Sequence, residues 1–261
     1  MDLGLKDKRA LVLGASQGIG AGIARALAAE GCNLVLAARD RARLEALADD
    51  LHTRDGIAAE VRGVDFADLA AVEALGEDPA SGGDIDILVN NGGGPPPSGA
   101  LGVDTEVWRE QFEAMVLGVI RITGILVTGM RVRGWGRILT VASSGVIQPI
   151  PTLGISNTLR ASLVAYMKTL SAEVAPDGVT VNILAPGRIW TERADRIDAA
   201  NAKRLGIDVE EARRQSWAII PMGRYGTVEE FAAVATFLAS EPAGYVTGHV
   251  MRVDGGLIRS I

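Results

Sequence analysis

Short, mostly continuous apolar runs alternate along the chain with longer segments whose apolar residues recur every three or four positions. RALVLG (9–14), NLVLAA (33–38), AEVRGV (59–64), DILVNN (86–91), GRILTVA (136–142), VTVNILA (179–185) and HVMRVD (249–254) read as strands. Strands covered on both faces lose the polar alternation that a solvated face would impose. Segments 18–30, 40–53, 67–76, 105–131, 156–175 and 227–239, rich in Ala, Leu and Glu, read as helices. Strand–helix alternation predicts βαβ units with right-handed crossovers and a mostly parallel, seven-stranded sheet carrying helices on both faces. No repeat, low-complexity tract or linker divides the 261 residues, so a single α/β domain over 1–261 is expected.

Three segments depart from this rhythm. NGGGPPPSGALG (91–102) is dense in Gly and Pro and reads as a stiff loop. Segment 188–222 is charged, with weak helical patterning; such an insertion before the last helix is expected to be a substrate lid, or else a solvated helical decoration. QFEAMVLGVIRITGILVTGM (111–130) is apolar on nearly every face and is expected to be buried on all sides, as an inner-layer helix or a helix–helix subunit interface.

Composition narrows the function. Hydrophobic residues make up 48% of the chain but aromatics only 4%, so the core is built from Ala, Val, Leu and Ile. The net charge of −6 argues against a general nucleic-acid or anionic-membrane surface, yet leaves room for a small basic pocket. The single Cys32 excludes an internal disulfide and fits a reducing, cytoplasmic setting as a small buried hydrophobe. MDLGLKDKRA lacks the apolar core of a signal peptide, and no uninterrupted apolar run reaches the about 18 residues of a membrane span. His52 and His249 stand far apart in sequence with no neighbours at ligand spacing, so no metal site is expected.

LVLGASQGIGAGIARALAAEG sets Gly14, Gly18 and Gly20 between the first strand and first helix. A glycine there lets the chain reverse, and glycines at the helix start let main chain approach a pyrophosphate at the positive helix end. Ser16, Gln17 and Ile19 belong to the same turn. The second strand ends in Ala37–Ala38–Arg39. A carboxylate at that place would hold a ribose 2′-hydroxyl; Arg39 suits a 2′-phosphate, so NADP(H) is favoured over NAD(H).

With these residues the chain resembles the short-chain dehydrogenase/reductase family, over essentially its whole length. The matches are Gly14/Gly18/Gly20, Asp65 after the third strand, Asn90–Asn91–Gly92–Gly93 after the fourth and Ser143 after the fifth. Pro186–Gly187 with Thr191 after the sixth and the tail YVTGHVMRVDGG complete them. The resemblance implies a Rossmann-like, doubly wound domain, a nicotinamide cofactor, a small-molecule substrate and a homodimer or homotetramer. It implies that Asp65, followed by Phe66, contacts the adenine, that Asn90 and Gly92 line the cofactor near its ribose, and that the peptide around Ile189 and Thr191 holds the nicotinamide carboxamide. Asp65 is also placed to cap the helix of FADLAAVEAL. The 3-oxoacyl-acyl-carrier-protein reductases are the nearest subgroup, with sugar and polyol dehydrogenases as the close variant.

The family's catalytic positions carry over without gaps, and most are changed. Ser143 keeps the serine. Thirteen residues on, where tyrosine belongs, stands Ser156; four further, where lysine belongs, stands Arg160. Met115 falls where the helix asparagine is expected, and Leu13 replaces a threonine heading the glycine turn. A phenol has an ordinary pKa of about 10 and moves a proton to or from the substrate oxygen. A serine hydroxyl ionises far less readily and is shorter by roughly a ring, so Ser156 cannot inherit that role. Arg160, one helical turn from Ser156, is a permanent cation that holds hydroxyls or an oxyanion but titrates too high to give up a proton. Tyr166 lies about 15 Å along an ideal helix from Ser156 and on another face; Tyr225 and Tyr245 fall in late loops. Water held by Ser143 and Ser156 is the expected proton carrier. The space left by the ring, flanked by Arg160 and Arg188, suits an anionic substrate. Three readings stay open at this point: an oxidoreductase with an altered site, a cofactor-binding sensor or assembly protein without turnover, and an elimination or cyclisation enzyme on the same fold.

Overall fold

The computed structural model describes residues 1–79 and 83–261. Its sheet runs β3-β2-β1-β4-β5-β6-β7, with every neighbouring pair parallel. The strands are β1 (Arg9–Leu13), β2 (Asn33–Ala38), β3 (Ala59–Gly63), β4 (Ile87–Asn90), β5 (Gly136–Val141), β6 (Val179–Pro186) and β7 (Val250–Val253). Among the described residues the helices are α1 (Gly18–Ala29), α2 (Arg41–Asp55), α3 (Leu69–Glu77), α4 (Thr105–Phe112), α5 (Gly118–Arg133), α6 (Gly154–Val174), α7 (Glu192–Leu205), α8 (Val209–Ala218) and α9 (Val228–Ala239).

The continuous apolar strands are explained by two cores, one on each face. Ala10, Val12, Leu34 and Leu36 point to one side and pack under Ile23, Leu27, Leu44, Leu51, Phe231 and Leu238 of α1, α2 and α9. Leu11, Leu13, Val35 and Leu88 point to the other and meet Val72, Leu75, Ile122, Leu126, Met130 and Met167 of α3, α5 and α6. Alternate residues of one strand thus serve opposite layers. Each such leucine or isoleucine stabilises the fold by about 1.5–3 kcal/mol relative to exposure.

The helix expected over 105–131 is interrupted. Between α4 and α5 one π-helical turn covers Glu113–Leu117, and such turns concentrate at functional sites. Burial on all sides is also not what the chain alone achieves. Ile122, Leu126 and Met130 are buried on the sheet, while Arg121, Gly124 and Thr128 are exposed, because a single layer covers this helix and its far side faces solvent. The continuous helical stretch Thr105–Arg133 has a window of mean hydropathy 1.7, long and apolar enough to cross a membrane by length and composition alone, although Arg121 and other charged residues interrupt its apolar run. Part of that window, 44%, is instead buried inside the protein.

Segment 188–222 forms two helices, α7 and α8, joined by an aromatic cluster. Trp190, Trp217 and Tyr225 stand with ring centroids 6.1–6.3 Å apart, and the Arg213 guanidinium lies 5.2 Å over the Trp190 ring. The cap of α3 is also not the expected residue. Asp68 accepts from Ala71 N, whereas Asp65 accepts from Ala67 N in a local turn, because the helix begins at Leu69.

Candidate active site

Strand order reverses between β1 and β4, so the loops leaving their C-terminal ends diverge and open a crevice, the usual ligand position in such sheets. Gly14 turns the chain there with φ +63°. A Cβ on it would come within 2.6 Å of Asn91 O, and one on Gly20 within 2.2 Å of Gly14 O. No other residue type fits this turn. α1 then starts at Gly18 with no side-chain cap and no acidic residue in its first turn. Its unsatisfied N–H groups and positive end are left for a ligand anion. Ser16 and Ile19 are half-buried beside this turn and Gln17 is exposed.

The turn is locked by Asn91, whose Nδ2 donates to Leu13 O and Gly14 O, both at 3.3 Å. Sequence reasoning singled out Asn90 instead. The Asn90 side chain is buried and donates to Thr123 Oγ1 at 3.1 Å and Thr140 Oγ1 at 3.4 Å, tying β4 to α5 and β5.

At the far end of β2, Arg39 is exposed and has no ion pair among the described residues. A second cation stands beside it that sequence reasoning missed. Arg43, in the first turn of α2, donates to Gln17 Oε1 at 2.5 Å and Glu192 Oε1 at 3.3 Å. The only local hint was its i,i+4 spacing from Arg39. Asp65 is exposed after β3, and Phe66 is half-buried against the second core.

The other end of the crevice gathers the residues expected to act chemically. Ser143 follows the end of β5, and its Oγ accepts from Gly145 N at 3.0 Å, so its own hydroxyl proton stays available to donate. Ser156 lies in the first turn of α6 and is 7% exposed. Asn157 ties the two segments, donating to Ile150 O at 2.9 Å and accepting from Ile150 N at 3.3 Å. The Gly/Pro loop is pinned to the same place: Ser98 N donates to Thr152 O at 2.8 Å, and Gly154 N to Ser98 O at 2.9 Å. Met115, on the π turn, packs with Ile155, Leu159 and Leu163, so the wall behind this corner is apolar.

Arg160 reaches from α6 across the ends of two strands. Its Nη1 donates to Val141 O at 2.9 Å, and its Nη2 lies 3.5 and 3.4 Å from the carbonyl oxygens of Gly92 and Gly93. Burial, and secondarily the nearby Arg193, push its pKa down to about 10. It is still a cation at neutral pH.

No tyrosine enters this corner. Tyr166 is half-buried against the second core, Tyr225 donates from the aromatic cluster to Asp198, and Tyr245 is fully exposed. Beyond β6, which ends at Pro186, Gly187 N donates to Val253 O at 2.9 Å, Ile189 is buried and Thr191 caps α7. The Thr191 methyl stands 3.4 Å from where a Gly18 Cβ would be, so the start of α7 leans over the glycine turn. Arg188 is not the partner expected for Arg160. It lines a pocket with Met222, Arg224, Glu230 and Asp254, because the chain turns away at Gly187, and Arg193 stands beside Arg160 instead.

A family model described as Enoyl-(Acyl carrier protein) reductase matches residues 14–258. The chain is 33% identical over 258 residues to 3-oxoacyl-[acyl-carrier-protein] reductase FabG of Escherichia coli (strain K12), covering 98% of this chain and 99% of the relative. Among solved structures, L-sorbose reductase from Gluconobacter frateurii, complexed with NADPH and L-sorbose, superposes with a TM-score of 0.95 at 35% identity over the full length of both chains. YwfH, an NADPH dependent reductase involved in bacilysin biosynthesis, superposes with a TM-score of 0.93 at 30% identity, covering 98% of this chain and 100% of YwfH. The glycine turn at a strand-order reversal, the retained Ser143 and these full-length likenesses converge: the chain belongs to the short-chain dehydrogenase/reductase family of oxidoreductases, among its 3-oxoacyl-acyl-carrier-protein reductase-like members.

Proposed function

We propose that the chain uses NADP(H) to interconvert a carbonyl and a secondary alcohol on a small molecule, as an oxoacyl or sugar-type reductase with Ser156 and Arg160 in place of tyrosine and lysine. The observation that carries this reading is the position of Arg160, whose guanidinium rests on the carbonyls at the ends of β4 and β5, beside the loop expected to line a nicotinamide ribose. The uncapped start of α1 fits a pyrophosphate. Arg39 and Arg43 fit a 2′-phosphate, a role consistent with the NADPH bound by the sorbose reductase and used by YwfH.

When bound, the nicotinamide supplies or accepts the hydride at the substrate carbon. The chain's own residues then manage the oxygen. Arg160 provides fixed positive charge for the oxygen as it becomes negative, in a corner backed by the apolar Met115 and Ile155. Ser143 donates a hydrogen bond to that oxygen and keeps its proton; the transferred proton comes instead from water replenished by solvent. Ser156 is too short to reach it directly and instead holds a water that carries the proton in. Segment 188–222 acts as the lid, since Thr191 and Glu192 already lean on the glycine turn and on Arg43. The exposed side of α5 serves a homo-oligomer.

The test is titration of the purified protein with NADPH and NADH, followed by turnover on ketones, oxoacyl thioesters and sugars. Tighter NADPH binding with turnover on at least one carbonyl class is expected. Binding without turnover across the panel leaves a cofactor sensor; absence of binding overturns the reading.

A further inference from the structure

Arg160 and Arg193 meet over a single glycine. A Cβ at Gly94 would stand 3.1 and 3.2 Å from Nη2 and Nη1 of Arg193, and 3.6 Å from Nη2 of Arg160. Among the described residues neither guanidinium has a carboxylate within ion-pair distance. The acids beside Arg193 are engaged elsewhere: Glu192 with Arg43 and Asp195 with Arg213. Arg160 has one firm hydrogen bond, to Val141 O, and two long ones, so the edge of its head nearer Arg193 keeps donor capacity. Two like charges held together without a counter-charge are unfavourable in the free protein, and here Arg193 adds to the effect of burial in depressing the pKa of Arg160. An arrangement that costs stability and is relieved by an anion is what a binding site stores.

We propose that Arg160 and Arg193 form a two-pronged seat for the carboxylate of the substrate, and that the substrate class is an oxo acid whose carboxylate lies one or two carbons from the reacting carbonyl. The proposal rests on the reductase reading above and deepens it. Arg160 is one turn from Ser156 on α6 and reaches the end of β5 beside Ser143, so an anion held there sits at the reacting end of the crevice. In a 2- or 3-oxo acid the carboxylate and carbonyl oxygens are close enough for one planar guanidinium to serve both. The cofactor's pyrophosphate has a different seat, the uncapped N-terminus of α1.

Calorimetric titration of the NADP⁺-loaded protein, in which no reduction can occur, tests this with 2-oxobutanoate, 3-oxobutanoate and their methyl esters. At least one acid is expected to bind more tightly than its ester by about tenfold or more, as for a charge-assisted pair. Arg193→Glu places a carboxylate against Arg160, so it is expected to erase that preference while raising the Tm. Arg193→Ala, at an exposed position, gives the same loss of preference should the first variant not fold. Equal binding of acids and esters overturns the seat, as does a preference that survives both variants. A loss confined to NADP⁺ affinity also overturns it, by assigning the cations to the cofactor. Titration of the acids and esters into cofactor-free protein separates the two ideas: acid preference there without NADP⁺ binding keeps the seat and removes the reductase.

Discussion

The hydroxyl of Tyr225 donates to Oδ1 of Asp198 at 2.8 Å, and both side chains are buried, at 3% and 0% exposure. This bond fastens the middle of α7 to the segment ahead of α9, and Arg213 of α8 adds its charge 3.5 Å from Asp198 Oδ2. Segment 188–222 is therefore organised around a carboxylate inside the protein, with its charge answered from α8.

Removing one side of this arrangement is expected to cost more than removing the other. Tyr225→Phe loses one hydrogen bond, about 1 kcal/mol, or a Tm drop of roughly 2–4 °C. Asp198→Ala leaves the buried Tyr225 hydroxyl without its acceptor and opens space inside the protein, and is expected to cost about 3 kcal/mol. Thermal melts followed by circular dichroism give the ranking; equal drops would show that Asp198 is not the anchor.

Arg39→Asp is expected to invert the cofactor preference. It removes a free cation and puts a carboxylate at the end of β2, where it accepts a ribose hydroxyl and repels a 2′-phosphate. Fluorescence titration should show the Kd for NADPH rising at least about tenfold, with NADH unchanged or tighter.

Gly20→Ala drives a methyl to 2.2 Å from Gly14 O. The turn must open, costing about 1–3 kcal/mol by overpacking and moving the start of α1 away from its anion. Nicotinamide binding measured by calorimetry is expected to vanish while the far-ultraviolet spectrum stays that of the α/β fold.

If Ser143 hydrogen-bonds the substrate oxygen and Ser156 only holds water, the two alanine variants should differ. Ser143→Ala is expected to lower kcat by about a hundredfold or more, and Ser156→Ala by less than about tenfold. The reverse ranking in steady-state assays would make Ser156 the residue that holds the substrate oxygen.

Cys32 is buried at the start of β2, where its thiol lies 3.3 Å from Leu5 O, and burial pushes its pKa from 9.0 up to about 12. Folded protein is expected to resist iodoacetamide through pH 9 and react only on unfolding, as read by mass spectrometry. The sign follows from the raised value: the folded thiol keeps its proton, so between pH 9 and 12 the unfolded chain ionises first and stability falls as pH rises.

Much of this was legible in the sequence because it is local. The strands announce themselves as continuous apolar runs, and Gly14, Gly18 and Gly20 mark a turn that only glycine tolerates. Ser156 and Arg160 share one helix face through i,i+4 spacing alone. The cap of α3 lies three residues beyond the one the sequence suggests, since Asp65 and Asp68 carry the same capping chemistry and only the backbone path selects between them. The π turn at Met115 was hidden because one inserted residue barely changes an apolar pattern.

What the sequence by itself determined is the α/β class, the glycine turn and the identities at the catalytic positions, for these follow from periodicity, backbone permissiveness and side-chain chemistry. Only the tertiary structure decided that Asn91 rather than Asn90 locks the turn, that Asp198 is interior, and that Arg160 faces Arg193 rather than Arg188. Each of those depends on residues distant in the chain being brought together at the ends of the strands. Electrostatic environment is a property of that assembled space: the same arginine is a solvated surface charge or an unanswered one according to what the fold sets against it.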